Sequence, residues 1–307
     1  MSQEGLFQTP WNFLGLPEEL SSPQRARAWL LPVPYESTTS YGAGTRNGPA
    51  AIIAASRQVE LFDCEFGKEP AMEYGVHTMN PLALVHRSPD LMVKAIEEAV
   101  AVILSGKPRP EVLVLLGGEH TISPGVVRGI ARTIGKDNLV CVQVDAHADL
   151  RDEYEGSPFS HACAARRILD VCPVFQIGIR NISAGEEPFR RSCDRVHTVF
   201  AEESIAPDGA FLKDLAAFVR GQQVFLTIDL DGLDPSIMPA VGTPEPGGIL
   251  WQRMLEICRV ITREAARVPV FDVVELAPIP GFIAPDFLSA KLVYKILSYT
   301  VSSGRDQ

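Results

Sequence analysis

No CxxC pair occurs among the six cysteines, Cys64, Cys141, Cys163, Cys172, Cys193 and Cys258. Scattered thiols of this kind point to a reducing cytosol rather than to a disulfide framework. Basic residues are scarce relative to acidic ones, 28 against 38, and a formal net charge of −10 leaves no concentrated Lys and Arg surface for nucleic-acid phosphates. The same imbalance favours a small cationic partner. The opening Met-Ser-Gln-Glu-Gly-Leu-Phe-Gln-Thr-Pro carries no basic segment followed by an apolar one, so no secretory signal is expected. No apolar run is long enough to span a bilayer, and the expectation is a cytoplasmic chain with neither nucleic acid nor membrane as partner. Internal repeats, low-complexity tracts, a Gly-Lys-Ser/Thr phosphate loop and a serine nucleophile elbow are all missing. Gly42-Ala-Gly-Thr-Arg-Asn-Gly48 has one residue too many for a dinucleotide glycine loop and follows no clean strand, which leaves it at most a loop on the substrate side.

What is present suits one large α/β core. With 46% apolar and 21% charged residues, 307 residues are read as a single domain spanning 1–307. Short β-branched runs alternate with amphipathic stretches, the pattern of a three-layer α/β/α fold around a mostly parallel sheet. Strands are predicted at Ala28 to Pro32, Val112 to Leu116, Leu139 to Val144, Val174 to Ile179, Val196 to Phe200, Val224 to Ile228 and Pro269 to Val274. Several are apolar throughout, as strands covered on both faces must be. Ser123 and Pro124 read as a helix N-cap and first helical residue, Val127, Ile130 and Ile134 share one face, and Gly135 ends the helix. Helical spacing recurs in Phe211, Leu215, Phe218 and Val219, and again in Leu288, Leu292 and Ile296. Ser37 to Pro49 and Gly232 to Gly248, rich in Gly, Pro and Thr, read as loops.

Four apolar strands run directly into acidic or histidine residues, at the end where open parallel sheets bind ligands. One ends at His120, one at Asp145, His147 and Asp149, one at Asp229 and Asp231, and one at Glu275. Residues two apart share a face in extended chain, so each of the two Asp-containing motifs converges. A lone Asp after a strand commonly caps a helix or a turn. Capping does not account for these motifs together, and carboxylates so crowded require a neutralising cation. Four carboxylates and two imidazoles exceed one tetrahedral zinc site and suit a pair of Mn²⁺ or similar ions. Such a pair lowers the pKa of water and presents a nucleophile near neutral pH. His77, His86 and His197 stand apart and read as surface or packing residues.

Gly117-Gly-Glu-His120-Thr121, Asp145-Ala-His-Ala-Asp149, Asp229-Leu-Asp-Gly-Leu-Asp-Pro-Ser236 and Asp272-Val-Val-Glu275 resemble the ureohydrolases, the family of arginase and agmatinase. The likeness extends through Pro34 to Thr45, Gly48 to Ser56 and Gly242 to Gly248, and so over nearly the whole chain. It implies one Mn²⁺ on His120, Asp145, Asp149 and Asp229 and a second on His147, Asp145, Asp229 and Asp231. It further implies attack of activated water on a guanidinium carbon to give urea and an amine. Asp149 would steady the nucleophile, His161 would shuttle a proton to the departing amine, and Glu275 would pair with the substrate guanidinium. Arg151 stands where arginases usually carry an Asn that helps recognise the amino-acid end of arginine. The segment Asp149 to Gly156, with Ser160-His-Ala-Cys163 and Arg166-Arg167, looks like the bacterial and archaeal agmatinase branch. The expectation is therefore hydrolysis of agmatine to putrescine and urea. Solvated loop charge is the ordinary reading of Asp152, Glu153 and Glu155, with attraction of the substrate ammonium as the functional one. Other guanidines, 4-guanidinobutyrate and arginine among them, are the alternative substrates. A non-catalytic metal-binding relative and a one-metal amide deacetylase are the more distant rivals. Assembly as a homotrimer or homohexamer is implied by the resemblance alone.

Overall fold

The computed structural model describes residues 11–302. The opening ten residues, in which no secretory signal is expected, lie outside the described residues. Eight strands form one sheet: β1 (Ala28–Val33), β2 (Val76–Thr78), β3 (Val112–Gly117), β4 (Leu139–Val144), β5 (Val174–Ile179), β6 (Val196–Phe200), β7 (Gln223–Asp229) and β8 (Arg267–Val274). Their order is β2-β1-β3-β8-β7-β4-β5-β6, and every neighbouring pair runs parallel. The strands expected from the sequence are all present, with ends moved by at most two residues. Strand β2 escaped the sequence reading because three residues, only one of them fully buried, leave no apolar run to detect.

Strict alternation explains why the strand sequences are apolar throughout. In β4, Val140, Val142 and Val144 face one core layer, while Leu139 and Cys141 face the other. The first layer is closed by helices Gly48–Ser56, Phe211–Val219, Trp251–Glu264 and Ala284–Ser302 through Ile52, Leu215, Ile257 and Leu292. The second is closed by Pro89–Ser105 and Ser123–Ile134 through Ile96, Val100, Val126 and Ile130. The result is the expected three-layer α/β/α sandwich. Ile228, fully buried in β7, belongs to the first layer. Ile228→Val should cost about 1 kcal/mol of stability by loss of one buried methylene, read as a lower denaturant midpoint at unchanged slope.

Two local expectations are corrected. Ser123 is not the cap of its helix but its first residue, and its hydroxyl is diverted to the buried Asp272 Oδ2 at 2.7 Å. The glycine-rich stretch from Ser37 is a loop only as far as a short 3₁₀ turn at Thr45–Asn47, after which Gly48 and Pro49 already open a helix. Gly135, at φ 86°, ends its helix as expected. Among the described residues, no helix is long and apolar enough to cross a membrane.

Candidate active site

The four strands at the centre of the sheet, β3, β8, β7 and β4, are those whose carboxyl ends carry His120, Glu275, Asp229 and Asp145. Sheet order thus gathers motifs that lie more than a hundred residues apart in the chain. Beyond β3 the backbone must pass close to Tyr35, and a Cβ at position 118 would overlap the Tyr35 carbonyl, so only glycine fits there. Beyond β4 the chain turns at Asp149, whose φ is 51°, and beyond β8 at Glu275, whose φ is 69°. Two non-glycine residues in the left-handed region, both with functional groups in one pocket, mark backbone strain held at the site.

His120 is 1% exposed, and its Nδ1 lies 3.2 Å from Asp145 Oδ2, 3.1 Å from Asp149 Oδ2 and 3.3 Å from Asp229 Oδ2. His147 Nδ1 lies 2.9 Å from Asp231 Oδ2 and 3.7 Å from Asp145 Oδ1. Asp145 joins both groups, and each of its oxygens faces one imidazole. His120 Nδ1 is buried without a hydrogen bond of acceptable geometry among the described residues, in the midst of three carboxylate oxygens. An orphaned imidazole nitrogen in such surroundings is the donor set of a divalent cation, and His120 with Asp145 and Asp149, and His147 with Asp145 and Asp231, form two groups of that kind. The residues present therefore fit a metal pair. Behind His120, Nε2 lies 2.9 Å from Thr227 Oγ1, which orients the ring from the far side.

Burial and crowding divide the charge unevenly. Asp145 is buried, which alone would raise its carboxyl, but the two imidazoles beside it hold it below the ordinary range. Asp229 is raised well above that range by burial and by Asp231 and Asp145, and burial with Asp145 raises Asp149 to about 7. Burial opposes protonation of His147, yet Asp231 and Asp145 push it up to about 12, and the three carboxylates around His120 likewise override its burial. Glu275 is raised by burial and by Glu119, and its Oε1 accepts the His120 backbone N–H at 2.7 Å.

His161 lines the same pocket, held by a residue that the sequence reading left without a role. Buried Glu119 accepts the N–H groups of Ser37 and Thr38 on Oε2 at 2.9 and 2.7 Å and the Thr38 hydroxyl on Oε1 at 2.9 Å. Thr38 Oγ1 in turn accepts the His161 backbone N–H at 3.0 Å and sits 3.1 Å from His161 Nδ1. The single Thr38 hydroxyl proton is committed to Glu119, so Nδ1 of His161 carries the ring proton and Nε2 is the basic atom. Burial lowers the His161 pKa, which favours this neutral form.

All the sequence-predicted site residues except Asp145 line one pocket, and Asp145, fully buried, lies within 4 Å of two of the lining residues, His120 and His147. Arg151 also lines it, with Nε 3.8 Å from Glu186 and its guanidinium 4.8 Å from the centre of the Tyr154 ring. Asp152, Glu153 and Glu155 do not line it, and the exposed Asp152 is spent on Arg167 at 2.6 Å. Beyond the predicted site residues, the acidic side chain that lines the pocket is Glu186, anchored by the N–H of Leu150 at 2.8 Å and by Ser183. Nothing in its sequence neighbourhood, Gly185-Glu-Glu, separates it from the surface acids. His77 packs edge-on to Trp29, and His197 stacks on Phe175, as packing residues do. All six cysteines are free.

A sheet of eight parallel strands, with an imidazole and carboxylate cluster at the carboxyl ends of its central strands, is the arrangement of a metal-dependent hydrolase. Residues 26–298 match the model of the arginase family. The chain is 39% identical over 294 residues to an N(1)-aminopropylagmatine ureohydrolase of Synechocystis sp., covering 94% of each chain. It is 30% identical to an agmatinase of Halalkalibacterium halodurans, over 84% of this chain and 86% of that one. Among solved structures it resembles the agmatine ureohydrolase of Thermoplasma volcanium, with a TM-score of 0.85, 25% identity and full coverage of both chains. The chain belongs to the arginase family.

Proposed function

We propose that the protein hydrolyses a cationic agmatine-type guanidine to urea and the corresponding amine, with N(1)-aminopropylagmatine as first substrate and agmatine as second. The observation that carries this reading is the charge of the pocket. With Asp149, Asp229 and Asp231 assigned to metal and Glu275 to the guanidinium, the acid left on the lining is Glu186, and the one arginine there, Arg151, faces it at 3.8 Å instead of standing free for a substrate carboxylate. Arginine and 4-guanidinobutyrate both bring a carboxylate for which this lining offers no unpaired arginine or lysine. The order of the two substrates rests on the names of the relatives, the more similar of which is the aminopropylagmatine enzyme.

His120, Asp145, Asp149 and Asp229 would hold one ion, and His147, Asp145, Asp229 and Asp231 the other. When bound, a divalent pair supplies the Lewis acidity that lets water act as a nucleophile near neutral pH. Manganese is the ion we propose, from the oxygen-rich donor set. Glu275 binds the guanidinium: Oε1 is fixed by the His120 amide, Oε2 is left for the substrate, and the cation restores the ionised carboxylate that burial disfavours. The nucleophile's proton passes to His161 Nε2, which returns it to the departing amine nitrogen as the carbon–nitrogen bond breaks. Protein with Mn²⁺ should release urea fastest from N(1)-aminopropylagmatine or agmatine in a matched panel with arginine and 4-guanidinobutyrate. Preference for a carboxylate-bearing guanidine would overturn the substrate proposal. His161→Asn should lower kcat by about 10²-fold at unchanged metal content, and loss of metal instead would make it a ligand.

A further inference from the structure

Five adjacent strands carry a row of polar residues in register: Asp272 on β8, Thr227 on β7, Gln143 on β4, Gln176 on β5 and Thr198 on β6. The row crosses the second core face, one level above Cys141, Val174, Phe225 and Val270. Gln143 and Gln176 are fully buried in strands that are otherwise almost wholly apolar. Buried amides cost free energy that apolar residues at both positions would avoid, so their presence asks for a reason beyond packing.

The hydrogen bonds supply one. Thr198 Oγ1 donates to Gln176 Oε1 at 3.0 Å, Gln176 Nε2 to Gln143 Oε1 at 2.9 Å, and Gln143 Nε2 to Asp145 Oδ2 at 2.7 Å. Every donor points the same way. The direction is set from the far end: a carboxylate oxygen accepts only, so it must meet the Gln143 NH₂, which turns Gln143 Oε1 toward Gln176 and forces a donor there. A second bond, Gln176 Nε2 to the Ala148 carbonyl at 2.7 Å, locks the amide that governs the direction. The chain ends on the oxygen of Asp145 that faces His120 Nδ1, while Asp145 Oδ1 is held separately by the His147 backbone N–H at 2.6 Å.

We propose that Thr198, Gln176 and Gln143 are positioning residues that fix the rotation of the Asp145 carboxylate, so that each of its oxygens is aimed at a different metal ion. The proposal rests on the reading of Asp145 as the ligand common to both ions. None of the three lines the pocket. Gln143 acts on the Asp145 carboxylate directly, and Gln176 and Thr198 reach that carboxylate through Gln143.

A thermodynamic cycle tests this. Mn²⁺ is titrated calorimetrically into chelator-stripped wild type, Gln143→Met, Gln176→Met and the double variant, with a cooperative melt of each stripped protein as the check on folding. Outer contacts of this kind are worth about 10- to 100-fold in metal affinity, so Gln143→Met should weaken binding by that factor, and Gln176→Met by somewhat less. The double variant should bind more tightly than the product of the two single losses would give, because the part of the Gln176 effect that runs through Gln143 is already gone; the part carried by the Ala148 carbonyl, between His147 and Asp149, remains. Gln176→Met binding Mn²⁺ as tightly as wild type, or factors that multiply in the double variant, would overturn the chain while leaving the metal reading intact. Wild-type protein that takes up no Mn²⁺ would overturn both.

Discussion

Asp145→Asn should lose both metal ions together and release urea at least about 10³-fold more slowly than wild type, a loss of roughly 4 kcal/mol of transition-state stabilisation. Among the described residues, Asp145 is the one carboxylate in contact distance of both imidazoles, 3.2 Å from His120 Nδ1 and 3.7 Å from His147 Nδ1. An amide keeps the shape of the side chain but presents one acceptor where the site needs two, and it removes a charge that both ions require. Metal analysis and urea release on the same preparation check the result. Asp152→Asn is the matched control: the residue is exposed, pairs with Arg167 and lies outside the pocket, and its loss should leave both readouts unchanged. An Asp145→Asn protein with two ions and normal turnover would show that the cluster is not the reaction centre.

Stripping the metal with a chelator should lower stability by an amount that grows with pH. In the stripped protein, protons must balance the carboxylates. Asp149 is raised to about 7 against an ordinary 3.8, so between these values the folded state holds a proton that the unfolded chain has released. Stability therefore falls as pH rises through that window. His147, raised to about 12 from 6.5, adds a further fall in the same sense at higher pH. A bound cation replaces those protons, so the difference in melting temperature between metal-loaded and stripped protein should widen from pH 5 to pH 9. A difference constant across that range would contradict the charge balance described for the cluster. Metal contributes to the folded state by mass action as well, so the comparison holds free metal fixed.

The sequence makes the metal ligands legible because each sits where an apolar run stops, and a run of Val, Ile and Leu ending in Asp or His is a local pattern. Partnerships across the fold are not local. Glu119 sits inside a recognised motif, yet its task is set by Ser37 and Thr38, more than eighty residues earlier, and only the closure of β1 against β3 brings them together. Glu186 was missed for the same reason, while Asp152, Glu153 and Glu155, adjacent in sequence to Asp149, drew attention that their positions do not justify. Ser123 shows the converse error. A serine before a proline reads as a cap, but the Ser123 hydroxyl sits inside the helix as its first residue and donates to the buried Asp272 carboxylate, making no capping bond to a helix amide.

The left-handed backbone at Asp149 and Glu275 sets fold and chemistry at odds. Glycine at either position would relieve the conformational penalty, so a library of variants screened for heat resistance alone would enrich inactive proteins there. A search for a hardier catalyst from this scaffold has to assay turnover at every round, or it will breed a better-folded protein with no reaction left to perform.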